Sequence, residues 1–127
     1  MSTTKYLFAA VATGALAAVL LAGQAKPETV TVKGEVVDLW CFLDDGSHGP
    51  DHKACGIACV KAGNPIGIVD DKGNIYVALG KKDRLPGRDL LIDKMSETVT
   101  VEGTLVKKGG TQALYISSVS ATPGTAR

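Results

Sequence analysis

Two stretches of nine residues, TVTVKGEVV at 29–37 and TVTVEGTLV at 98–106, agree at six positions, the inner glycine included. β-branched side chains at alternate positions are stiff at χ1 and favour a pleated, extended backbone, so both stretches are read as strands. In the first, which runs on to Leu39, Val30, Val32 and Val36 fall on one face and Thr31, Lys33 and Glu35 on the other. A Val/Thr-rich composition alone would make two strands look alike. The shared glycine is more specific, because a glycine inside a strand marks a sharp bend. Gly34 and Gly103 are therefore expected to bend two long strands of a barrel.

The remaining elements follow from turn chemistry. Residues 66–70 and 74–79 flank Asp71-Lys72-Gly73, and residues 98–106 and 113–119 flank Lys108-Gly109-Gly110, which predicts two hairpins. Between them a Leu85-Pro86-Gly87 turn precedes a short helix over 89–95, and Thr122-Pro123-Gly124 is expected to fray. The order is strand, insert, hairpin, helix, hairpin. This order over 29–120 resembles the exported bacterial OB-fold proteins. The resemblance implies an all-β, five-stranded OB-like barrel with a helical insert between strands 1 and 2 and a short helix between strands 3 and 4. It implies no enzyme motif.

Residues 1–25 read as a signal peptide. Lys5 supplies the positive start, Leu7 to Ala22 an apolar run, and Gly23-Gln24-Ala25 the small residues a signal peptidase reads, with cleavage after Ala25. The competing reading is a membrane anchor, but the run has sixteen residues interrupted by Thr13 and Gly14, where a spanning helix needs about 20. No cysteine follows it, which argues against a lipoprotein. The expectation is a periplasmic or secreted domain over 26–127. With Lys5 removed, 13 basic residues match 13 acidic ones. A neutral, exported chain with few aromatics for base stacking is a poor nucleic-acid binder.

Every cysteine and histidine of the chain lies in the insert at 40–65. Pro50 suits a first helical position, Asp51 suits the positive end of the helix dipole, Gly63 suits the residue after the helix, and Pro65 forbids continuation. A helix is predicted over 50–62. It carries His52, Cys55 and Cys59 at i, i+3 and i+7 on one stripe, with His48 just outside it and Cys41, at the end of the first strand, folding back over that face.

Three cysteines are an odd number in an oxidising compartment. One reading is structural: Cys41 pairs with Cys55 or Cys59 and staples the insert to the barrel, leaving a thiol unexplained. A Cys55–Cys59 bond inside a regular helix is disfavoured, because both Cβ atoms lean the same way. A second reading is metal binding by Cys41, Cys55 and Cys59 with His52 or His48, thiolate and imidazole together suiting Zn²⁺ or Cu(I). This accounts for all three thiols. A third is a thiol redox relay, though the Cys-x-x-Cys spacing of thioredoxin-like centres is missing. Cys-x-x-x-Cys with a nearby His is similar to the copper-binding loops of Sco-type proteins and cytochrome oxidase subunit II, and by analogy of fold alone small OB barrels serve as periplasmic copper chaperones. The metal reading leads: a carrier, storage or sensing protein whose partners are a metal ion and another periplasmic or membrane protein.

The other features read blandly. Asp44-Asp45 and Asp70-Asp71 are turn formers, Lys81, Lys82, Arg84 and Arg88 a solvated loop, and Trp40 a rim aromatic. No covalent-haem, phosphate-loop, His-Glu-x-x-His or Gly-x-Ser-x-Gly motif occurs. No substrate is suggested, and the chain reads as a binding protein rather than an enzyme.

Overall fold

The computed structural model describes residues 27–122. The expected signal peptide at 1–25 and the Pro123-Gly124 tail lie outside the described residues. Five strands run in the order β1 (Glu28–Asp38), β2 (Ile66–Asp70), β3 (Ile75–Gly80), β4 (Thr98–Lys108) and β5 (Thr111–Ala121). They close into a barrel in which β1 neighbours β2, β2 neighbours β3, β3 neighbours β5, and β5 returns through β4 to β1. All pairs are antiparallel except β3 with β5. This is the all-β, OB-like barrel that the order of elements implied. Two helices, α1 (Leu39–Asp45) and α2 (Lys53–Lys61), fill the connection after β1, and α3 (Arg88–Leu91) lies between β3 and β4.

The long first strand makes closure possible. Its first part, Glu28 to Glu35, pairs with β4, and its last part, Gly34 to Asp38, pairs with β2. The changeover falls at Gly34, where a Cβ would collide with the carbonyl oxygen of Val69 across the β1–β2 pair. Gly103 has the same role on β4. A bulge separates Glu102 from Gly103, and a Cβ there would collide with the carbonyl of Tyr115. Both glycines thus sit where a strand changes partner or shifts register and a neighbouring backbone comes close. The hairpin turns also form as expected, with left-handed φ of 80° at Gly73 and of 57° and 79° at Gly109 and Gly110.

Alternation delivers the core. Val32 and Val36 of β1, Ile68 of β2, Val99 and Val101 of β4, and Leu114 and Ile116 of β5 are buried in one cluster. Val60 of α2, Leu91 of α3 and Met95 join it, each fully buried. Each such side chain contributes about 1.5–3 kcal/mol through removal from water. Gly56 lets α2 sit close, since a Cβ there would lie 2.9 Å from Met95 Sδ.

Three boundaries differ from the sequence reading. Strand β1 stops at Asp38, so Leu39 and Cys41 belong to a helix rather than to the strand end. The predicted helix over 50–62 opens as a 3₁₀ turn at Pro50–His52 and becomes α-helical at Lys53. The helix over 89–95 is likewise α-helical only to Leu91 and continues as a 3₁₀ turn over Ile92–Lys94. The end of α2 is as expected. Gly63 has φ 113°, and the N–H groups of Gly63 and Asn64 donate to the carbonyls of Val60 and Cys59, both at 3.1 Å.

Candidate metal site

The inward face of β1 carries Val32, Gly34 and Val36 and, two residues on, Asp38, which has no exposed surface. A buried carboxylate is costly unless bonded, and Asp38 is bonded by the helix that follows it. Its Oδ1 accepts the N–H of Trp40 at 3.1 Å and its Oδ2 the N–H of Cys41 at 3.4 Å, which caps α1. Leu39, buried, anchors the same corner by donating its N–H to the Pro65 carbonyl at 3.0 Å. The cap holds Cys41 on the first turn of α1, facing the stripe on α2. Trp40 and Leu43 point outward and are largely exposed.

On α2 the stripe forms as spaced. Cys59 Sγ lies 3.9 Å from Cys41 Sγ, and the sulfurs of Cys41, Cys55 and Cys59 all lie within 4.8 Å of one another. Two thiolates on one tetrahedral Zn²⁺ at a bond length of about 2.3 Å stand about 3.8 Å apart. A disulfide needs its sulfurs at about 2.0 Å. The three residues are thiols in this structure; Cys55 is exposed, and Cys41 and Cys59 are half-buried.

A second group meets the first at Cys41. The ligating atoms of Asp38, Cys41 and His52 also lie within 4.8 Å of one another. His52 Nε2 stands 3.8 Å from Asp38 Oδ2, too far for a hydrogen bond. That nitrogen is buried and has no hydrogen-bond partner among the described residues. These thiol, imidazole and carboxylate groups could hold a metal ion.

His48 goes elsewhere. Its Nδ1 lies 3.1 Å from Glu35 Oε2, its ring meets Phe42 edge-on, and Glu35 Oε1 accepts the Gly49 N–H at 2.6 Å. It lines an open cleft of about 540 Å³ together with Lys33, Glu35 and Asp70. The geometry thus gathers Cys41, Cys55 and Cys59 in one group, places His52 with Cys41 and Asp38 in another, and leaves His48 with Glu35. Asp38 is the residue that the sequence reading missed. Its signal was its phase, an acidic residue two places after Val36 on the inward face of a strand and three before a cysteine.

The electrostatics are those of a site short of positive charge. The carboxylate of Asp38 beside Cys41, with burial and the Cys59 thiol behind it, pushes the Cys41 thiol up to about 12. Burial chiefly, and the Cys55 thiol after it, raise Cys59. Among the described residues no Lys or Arg pairs with Asp38, and nearby Lys53 is engaged with Glu97 at 2.9 Å. Reactive thiolates are found in electropositive surroundings, and these surroundings are the reverse.

No family model, curated protein or solved structure matches the chain. What fold and site define is a closed five-stranded barrel whose insert carries a cluster of metal-ligating groups.

Proposed function

We propose that the protein is an exported metal carrier or storage protein that holds Zn²⁺ or Cu(I) on the thiolates of Cys41, Cys55 and Cys59, with His52 as the available imidazole. One observation carries this reading: three sulfurs from two helices converge within 4.8 Å, one pair at the spacing of two ligands on one ion. A cation would supply the positive charge that the site lacks and displace protons that the metal-free thiols hold tightly. The exposed Cys55 would give an incoming thiol of a periplasmic or membrane partner a place to take the ion over.

Elemental analysis of protein recovered without chelator tests the reading. Copper or zinc at one equivalent or more per chain is expected, with three titratable thiols after metal removal and denaturation. A chain free of metal, two hydrogens lighter than its dithiol mass, would sink it. That result would favour the second reading, a stapled interaction module, with Cys41–Cys59 as the bond because this pair is the one at 3.9 Å.

A further inference from the structure

The two groups of ligating atoms share Cys41 and no other residue. The first offers three sulfurs. The second offers sulfur, nitrogen and oxygen, a mixture that suits borderline Zn²⁺ better than Cu(I). His52 Nε2 and Asp38 Oδ2 are 3.8 Å apart, a few tenths of an ångström wider than the spacing of about 3.4 Å that Zn–N and Zn–O bonds of about 2.1 Å give at a tetrahedral angle. Among the described residues the nitrogen is buried without a hydrogen-bond partner, and the oxygen accepts the weak 3.4 Å bond from the Cys41 N–H, whose thiol also stands beside the carboxylate.

Charge points the same way. With all three thiols ionised, the two groups carry three thiolates and one carboxylate, and a ligating His52 is neutral. One Zn²⁺ leaves two negative charges uncompensated around a carboxylate with no exposed surface, which a protein interior tolerates poorly. A second Zn²⁺ balances them. A thiolate sulfur keeps lone pairs enough for two ions.

We propose that the insert holds two zinc ions bridged by the Cys41 thiolate, one completed by Cys55 and Cys59 and the other by Asp38 and His52. The proposal rests on the reading that the thiol cluster binds metal, and adds to it a second ion and a bridge. Each ion has three protein donors and one position left for water.

The test is stoichiometric, on protein expressed from the full chain, stripped, reloaded with excess Zn²⁺ and desalted. Two ions per chain are expected, falling twofold to one in His52→Ala and in Asp38→Asn. If Asp38→Asn, which keeps one of the two cap acceptors, fails to fold, His52→Ala carries the result alone. Titration with Co²⁺ reads the bridge. The first equivalent gives a high-spin paramagnetic signal, and the second quenches it by coupling through the shared sulfur. One ion per chain in the wild type, or two retained in His52→Ala, overturns the second site. A second ion without loss of the Co²⁺ signal overturns the bridge. No ion at all defeats the underlying metal reading instead, so the failures are distinguishable.

Discussion

Asp38 closes a strand, starts a helix and faces an imidazole with one carboxylate, and the two histidines differ by whether they reach it. His52 does and His48 does not. Replacing His52 with Ala removes a ligand, so zinc affinity at its position should fall by more than the roughly 10–100-fold that loss of a ligand's supporting partner costs. His48→Ala should leave it within about twofold of wild type, the scale of contacts that merely position a loop. Competition with a chromophoric chelator measures both. The thiols supply a second prediction. Cys41, raised from 9.0 to about 12, is almost wholly protonated at pH 8. In metal-free protein iodoacetamide should therefore modify the exposed Cys55 first and Cys41 last, read by peptide mass spectrometry. The same shift has a sign for folding. A thiol whose folded pKa lies above its unfolded value stabilises the fold below the unfolded value. That contribution is lost as pH rises from about 9 toward 12, so metal-free protein should unfold at lower urea concentrations across that window.

At the scale of elements, the strands and the helix after Pro50 were written plainly, and the start of the insert was not. Alternation showed Val30, Val32 and Val36 as one face, and paired glycines marked both close approaches, because period-2 patterning and steric exclusion are local properties of the sequence. Helix α1 was hidden by its length. Its seven residues, LWCFLDD, follow a strong strand with no breaker between, and the only start signal is Asp38, which alternation had already assigned to the strand. The consequence reached the site: Cys41 was expected on a strand end and sits on a helix. That α2 would begin as a 3₁₀ turn was equally illegible, since Pro50 favours either helix type at its first position. The legible glycines give the prediction at this scale. Gly34→Ala and Gly103→Ala should each destabilise the barrel by about 1–3 kcal/mol, the cost of forcing atoms into a packed space. A lowered urea midpoint with an unchanged slope would confirm it, and a neutral result at both would mean the strands can bend elsewhere.

For the whole molecule, core and site are separable. The buried cluster is apolar and contains none of the three cysteines. Stripping the proposed zinc should therefore leave the β-sheet signature in far-ultraviolet circular dichroism intact while lowering the melting temperature. Ligand held at 1,000 times its dissociation constant stabilises by about 4 kcal/mol, so the melting point should climb with free zinc and return with chelator. Loss of the β signature on stripping would show that the insert holds the barrel closed. The parallel pairing of β3 with β5 completes that closure, and it governs how this protein can meet others. Each described strand has neighbours on both sides over part of its length, and the one-sided rows of amides and carbonyls open to another polypeptide include residues 28–33 of β1 and 118–121 of β5, each of which pairs with β4 alone. Strand addition, the commonest route to runaway fibrous assembly, is thereby held to short stretches rather than to a whole strand edge.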